Sequence, residues 1–175
     1  DRVRPERDRA DQAELEALSA RHVHRFLRDA GADAVKFQTW KTEKIVTRNV
    51  ELAVYQENNI SDKTKSQFKM LKELELSYDN FEVVKNHCDE IGIQFLSTPD
   101  EIDSLDFLCN FNLPFIKLGS GDVTNIPFLR LVGSRHIDVV LSTGMSYLGD
   151  VEIAYRTLIE AGAKSVSLLH CTTNY

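Results

Sequence analysis

Residues 114–144 read PFIKLGSGDVTNIPFLRLVGSRHIDVVLSTG, and this stretch decides the fold class. PFIKL is a short apolar run that enters a glycine-rich loop, as a strand entering a turn does. IPFLRLVG follows with helical spacing, with Asn125 as its cap and Pro127 in its first turn, where a missing N–H forfeits no helical hydrogen bond. DVVLSTG (138–144) then repeats the strand-then-loop pattern. Two strands joined through a helix within about thirty residues make a βαβ unit, whose strands run parallel.

The same rhythm continues in both directions. Upstream lie AVKFQ (34–38), a helical segment at 79–91 marked by Phe81, Val84, His87, Cys88 and Ile91 and ended by Gly92, IQFLST (93–98), and helical EIDSLDFLCNF. Downstream lie VEIAYRTLIEAG, stopped by Gly162, and SVSLLHC (165–171). Four of these strands run into small polar residues: Ser97-Thr98, Gly119-Ser120-Gly121, Ser142-Thr143-Gly144 and Thr172-Thr173. Parallel α/β folds place ligand sites at the carboxyl ends of their strands. No GxGxxG follows the first strand, which favours a barrel over a doubly wound sheet. A complete eight-stranded barrel takes ~250 residues. The expected fold is therefore α/β, a partial (β/α)8 barrel of about five parallel strands, side by side in chain order, with helices between. The long, polar-centred connection between residues 39 and 78 reads as an excursion over the barrel mouth.

That barrel portion occupies residues 31–175. Residues 1–30 differ in composition: they contain seven Arg and no Lys, against ten Lys and four Arg in the remainder. Leu15, Leu18, Val23, Phe26 and Leu27 share a stripe that predicts a helix in part of this atypical segment, with Gly31 as its stop.

The 175 residues are 42% hydrophobic and 27% charged, with net charge −6, which excludes a disordered chain and gives no electrostatic reason for a nucleic-acid partner. No apolar run approaches the ~18–20 residues of a membrane helix. Cys88, Cys109 and Cys171 are odd in number and widely spaced, which predicts reduced thiols and a cytoplasmic protein.

Two lysines stand in mid-strand. Alternation puts Val35 and Phe37 on one face of the first strand and Ala34, Lys36 and Gln38 on the other, and Lys117 lies between Ile116 and Leu118 in the same way. Lysine is almost never buried unpaired, so two such lysines call for an anion, from a protein carboxylate or from a ligand. The glycines of GSGD (119–122) let backbone approach a ligand closely and offer N–H donors to an anion, and Ser120, Thr98 and Ser142 add hydroxyls at strand ends. Together they read as a phosphate or carboxylate clamp. His170 and Cys171 have no second group at metal-ligand spacing and read as buried core residues.

In order and spacing, GADAVKFQ, LSTPDEIDSLDFL, FIKLGSGDVTNIPFL, LSTGM and LLHCTTNY resemble the sialic acid synthase family (N-acetylneuraminate synthase and its legionaminic, pseudaminic and 9-phosphate relatives) over residues 31–175. The resemblance implies strands 2–6 of a (β/α)8 barrel. It also implies a transferase that condenses phosphoenolpyruvate with an N-acylated amino sugar of the N-acetylmannosamine type to give a nine-carbon 2-keto acid and phosphate. By position, Lys36, Thr98, Lys117, Ser120 and Ser142 would hold phosphoenolpyruvate, and Gln38, Asp122 and Tyr175 would face the sugar. Asp122 stands where many members have Glu, and Thr173 where some have Asn. The family uses a divalent ion, Mn or Mg, acts as a homodimer and carries an antifreeze-like C-terminal domain. Its glutamate at the reacting carbon, its metal-binding histidines and that domain have no counterpart here. No catalytic residue or metal ligand is therefore expected within the chain, and an incomplete synthase is the expected reading. Two alternatives remain: a non-catalytic phosphosugar- or anion-binding fragment, and a Schiff-base aldolase using Lys36 or Lys117.

Overall fold

Five strands form in the computed structural model, which describes residues 26–50 and 66–172: β1 (Ala34–Thr39), β2 (Gln94–Pro99), β3 (Ile116–Leu118), β4 (Asp138–Ser142) and β5 (Ser165–Leu169). They make two hydrogen-bonded sheets, β1-β2 and β3-β4-β5, and not the single ladder expected from chain order. The β3-β4-β5 sheet is parallel, in the register Lys117 with Val140 and Val140 with Ser167. In the other sheet the Gln94 amide donates to the Asp33 carbonyl and the Asp100 amide to the Thr39 carbonyl, start to start and end to end, so β1 and β2 are parallel as well. β3 is shorter than PFIKL suggests and begins at Ile116, because Pro114 has no N–H to give a ladder. β5 stops at Leu169, so His170 and Cys171 lie beyond the strand and not in a core: His170 is exposed and Cys171 half-buried.

The helices are α1 (Thr42–Ile45), α2 (Gln67–Leu74), α3 (Tyr78–Ile91), α4 (Ile102–Cys109), α5 (Ile126–Gly133) and α6 (Leu148–Ala161). The excursion between β1 and α3 thus contains α1 and α2. Glu75 ties them together, accepting from the Thr42 amide at 2.8 Å and from Lys72. The stretch 1–25 of the atypical segment lies outside the described residues. Its last turn, 26–29, is helical and ends at Gly31, whose φ of +87° suits a residue without Cβ.

The chain divides into two units. One comprises Asp1–Phe37 and Leu76–Leu96. Its core is α3 against the start of both strands. Phe81, Val84 and Cys88 recur at helical spacing and are buried. Phe37 and Phe95 stack with centroids 5.2 Å apart, and Phe81 meets each edge-on at 6.3 and 6.4 Å, an arrangement that adds to the area these rings bury. Ser77 caps α3 by accepting from the Asn80 amide, and Gly92 ends it in the left-handed region.

The second unit comprises Gln38–Glu75 and Ser97–Tyr175. Ile116, Leu118, Val139 and Leu141 of its sheet are at most 1% exposed, as are Leu105 and Leu108 of α4, Leu129 and Val132 of α5 and Leu158 of α6. Glu101 caps α4 with its carboxylate, which accepts from the Asp103 and Ser104 amides, so the helix starts one residue later than its sequence pattern suggests. Asn125 caps α5, as its position before Pro127 predicts. α5 and α6 cross where Gly133 leaves no room: a Cβ there would lie 2.6 Å from Ala161 Cβ and from the Leu158 carbonyl oxygen.

Candidate functional site

The carboxyl ends of β3, β4 and β5 are joined by side chains. Lys117 projects from β3 between two fully buried apolar neighbours, and its ammonium donates to Ser142 Oγ on β4 at 2.7 Å and to the Leu118 carbonyl. Ser120, in the 3-10 turn Ser120–Asp122 after β3, accepts from the Gly144 amide at 3.0 Å, and its Oγ lies 3.7 Å from Cys171 Sγ. Thr143 donates through both its amide and its hydroxyl to the Leu169 carbonyl at the end of β5. Three strand ends 24 to 51 residues apart in sequence thus meet through hydroxyls, amides and one ammonium.

Electrostatics follow from this crowding. Asp122 sits in the same turn, and burial pushes its carboxyl up to about 6 against the opposing pull of the Gly119 amide, the Asn125 side chain and the Lys117 charge. The Ser120 hydroxyl, and then the Thr143 and Gly144 amides and Ser142, draw the Cys171 thiol below the ordinary thiol range despite some desolvation. Burial drives Cys88 the other way, up to about 11. Cys171 is therefore the cysteine whose thiol is drawn down, and it belongs to the cluster and not to a core. The sequence carried no signal for this, because its partner Ser120 is 51 residues away.

The raised Asp122 carboxyl has a consequence for stability. The folded chain holds this proton up to about pH 6, whereas the unfolded chain releases it near the ordinary 3.8. Between these values the folded state binds more protons, so stability falls as pH rises and the penalty is complete above about 6. Asp122→Asn is expected to stabilise the chain at pH 7.5 by about 1–2 kcal/mol and to flatten that decline, measured by urea denaturation between pH 4 and 8. A wild-type midpoint that does not fall between pH 4 and 7 would contradict the assignment.

The predicted site residues fare differently. Lys117, Ser120 and Ser142 come together, with Asp122 beside them. Thr98, at the end of β2, is 2% exposed, and its hydroxyl lacks a hydrogen-bond partner among the described residues, an orphan of the kind that a ligand satisfies. Lys36 and Gln38 occupy the exposed face of β1, alternating with buried Val35 and Thr39 as read from the sequence. Tyr175 and Thr173 lie outside the described residues. The Gly144 amide and the Leu118 and Leu169 carbonyls belong to the cluster without a side-chain signature. Among the described residues no group of three or more His, Cys, Asp or Glu side chains is placed to hold a metal ion, so they do not fit the divalent ion that the resemblance implies. No helix among them is long and apolar enough to cross a membrane.

Comparison with known proteins gives the family and the fold. The model of the NeuB family matches residues 25–175. The N,N'-diacetyllegionaminic acid synthase of Legionella pneumophila is 40% identical over 152 residues, covering 85% of this chain and 42% of its own length. The N-acetylneuraminate-9-phosphate synthase of Drosophila melanogaster is 34% identical, covering 83% of this chain and 39% of its own length. The crystal structure of N-acetylneuraminic acid synthetase from Leptospira borgpetersenii superposes with a TM-score of 0.76 at 24% identity, over 91% of this chain and 50% of that one. A 3-deoxyheptonate-type aldolase from Thermotoga maritima superposes at 0.60, so the α/β barrel-type fold is shared more widely. The chain spans about two-fifths of the length of the curated relatives it matches. With a family model matching all but its first 24 residues, the chain belongs to the NeuB family.

Proposed function

We propose that this chain supplies the phosphoenolpyruvate-binding part of a synthase that condenses phosphoenolpyruvate with an N-acylated amino sugar. The reaction forms a bond between the enol carbon and the sugar aldehyde carbon, takes up the elements of water, and releases a nine-carbon 2-keto acid and inorganic phosphate. The observation that carries the reading is the cluster at the ends of β3 and β4, where the Lys117 ammonium is held by neutral oxygens of Ser142 and Leu118 beside the Ser120 turn. A ligand anion meeting this ammonium would gain charge-assisted contacts, which are the strong ones. Thr98, whose hydroxyl has no partner among the described residues, belongs to the proposed anion clamp, and the resemblance adds Lys36 as a further proposed phosphoenolpyruvate contact. Asp122, Gln38 and Tyr175 face the sugar in this reading. Three free cysteines fit a cytoplasmic setting, and a homodimer is the proposed assembly.

The described residues offer donors to an anion and hold no cluster of metal-ligating side chains, and the chain assayed alone is expected to bind phosphoenolpyruvate without turnover. Calorimetry should give saturable binding of phosphoenolpyruvate. Phosphate release with N-acetylmannosamine and manganese should stay at the level of the uncatalysed control. Absence of phosphoenolpyruvate binding would sink the reading. Turnover at the rate of a full-length synthase would show that the chain carries more of the chemistry than proposed. A Schiff base trapped by borohydride on Lys36 or Lys117 would favour the aldolase reading instead.

A further inference from the structure

The carboxyl ends of β1 and β2 meet through two hydroxyls. Thr39 Oγ1 and Ser97 Oγ lie 2.7 Å apart, and both residues are fully buried. Burying two hydroxyls costs free energy that their mutual hydrogen bond offsets, and two apolar side chains of similar shape would fill the same space without that cost. Thr39 also accepts, at its carbonyl, from the Asp100 amide at 3.0 Å. One residue of β1 thus bonds to the chain on both sides of Thr98, by its side chain at Ser97 and by its backbone at Asp100. Thr98 is constrained twice more. It precedes Pro99, the last residue of β2, whose ring favours extended backbone in the residue before it. Its own β-branched side chain has few χ1 choices. Yet Thr98 is 2% exposed and its hydroxyl has no hydrogen-bond partner among the described residues. Two adjacent hydroxyls of one strand end are therefore treated oppositely: the protein satisfies Ser97 and leaves Thr98 open.

We propose that Thr39 is a positioning residue of the anion site: its hydroxyl bond to Ser97 and its carbonyl bond to Asp100 hold the Thr98 hydroxyl where an oxygen of the bound anion accepts from it. A buried hydroxyl without a partner destabilises the ligand-free chain, and a group held in that state by its neighbours is one that a ligand completes. Fixing the donor beforehand removes the ordering cost that binding would otherwise carry. Thr39 is fully buried with its hydroxyl already engaged, so it acts through Thr98 and not by touching the anion. The proposal rests on the reading of Thr98 as part of the phosphoenolpyruvate clamp.

The test is calorimetry with phosphoenolpyruvate on the 175-residue chain, alongside urea denaturation of the same variants. Thr39→Val keeps the branched shape and removes the hydroxyl, and should weaken binding about three- to tenfold, the contribution of one neutral hydrogen bond. Thr39→Ser keeps a hydroxyl and should bind as wild type does. In a Thr98→Val background Thr39→Val should cause no further loss, because the group it positions is gone, whereas a general packing defect would add to the Thr98→Val loss. Thr39→Val combined with Ser97→Ala leaves neither hydroxyl buried alone, so its urea midpoint should return toward wild type while its affinity stays low. Thr98→Val by itself should lower affinity and raise the midpoint of the ligand-free chain. Affinity that recovers together with stability in the Thr39→Val/Ser97→Ala chain would overturn the proposal. So would a further loss in the Thr98→Val background, or a Thr98→Val midpoint below wild type, which would show that the hydroxyl already has a partner. A wild-type chain that binds no phosphoenolpyruvate removes the functional reading and this proposal together. A wild-type chain that binds, with Thr39→Val binding equally well, keeps the functional reading and removes the positioning role.

Discussion

Lys117→Met is expected to weaken phosphoenolpyruvate binding by about 10- to 100-fold while leaving the fold intact, because a charge-assisted hydrogen bond contributes about 1.5–3 kcal/mol and each 1.4 kcal/mol is tenfold. Methionine keeps an unbranched, apolar stem of similar length between Ile116 and Leu118, so the packing of β3 survives. What disappears is the ammonium, and with it the donor to Ser142 Oγ and the Leu118 carbonyl. Ser142→Ala makes a useful contrast: it removes one of the ammonium's acceptors but not the charge, and should weaken binding by less than tenfold. The measurement is calorimetry with phosphoenolpyruvate at two ionic strengths, the wild-type affinity falling at the higher salt and the Lys117→Met affinity falling less steeply. A Lys117→Met chain that binds as tightly as wild type would remove Lys117 from the site.

Gly133→Ala should destabilise the second unit by about 2–3 kcal/mol, the upper part of the range for overpacking in a closely packed interior. Elsewhere in a helix the same change helps by up to about 1 kcal/mol, so propensity and packing oppose each other here. Packing wins because one of the two atoms met at 2.6 Å is the Leu158 carbonyl oxygen, part of the α6 backbone, which cannot rotate aside. α5 and α6 would have to separate, and the contacts of fully buried Leu129, Val132 and Leu158 would loosen with them. Ala161→Gly in the Gly133→Ala background relieves the Cβ contact but not the carbonyl, and so should recover only part of the loss. Urea denaturation with an unchanged slope checks the prediction. A Gly133→Ala chain as stable as wild type would mean that the helices part without cost.

Much of this was legible in the sequence where a short-range rule applies. IPFLRLVG became α5 residue for residue, with Asn125 and Pro127 in their expected places, because capping and helical spacing are local. Alternation in AVKFQ correctly put Val35 and Phe37 on one face and Lys36 and Gln38 on the other. The gathering of Lys117, Ser120 and Ser142 was also readable, since a parallel βαβ unit necessarily brings successive strand ends together. What could not be read depends on contacts distant in the chain. Nothing in SVSLLHC tells that Cys171 leaves the strand to approach Ser120, nor that Leu168 and Leu169 are each 43% exposed.

The sheet topology also sets a timetable for synthesis. β1 leaves the ribosome with Val35 and Phe37 ready to pack, but its partner β2 follows only after a pairing distance of roughly 60 residues, on the order of 3–12 s at ordinary elongation rates. During that interval β1 lacks its β2 ladder and the stacked ring of Phe95. β3, β4 and β5 pair at separations of roughly 23–27 residues, less than half that wait, and their shorter loops close at a lower entropy cost. The β1–β2 pairing therefore waits longest, and the later-made β3-β4-β5 sheet is the part that can assemble as it appears.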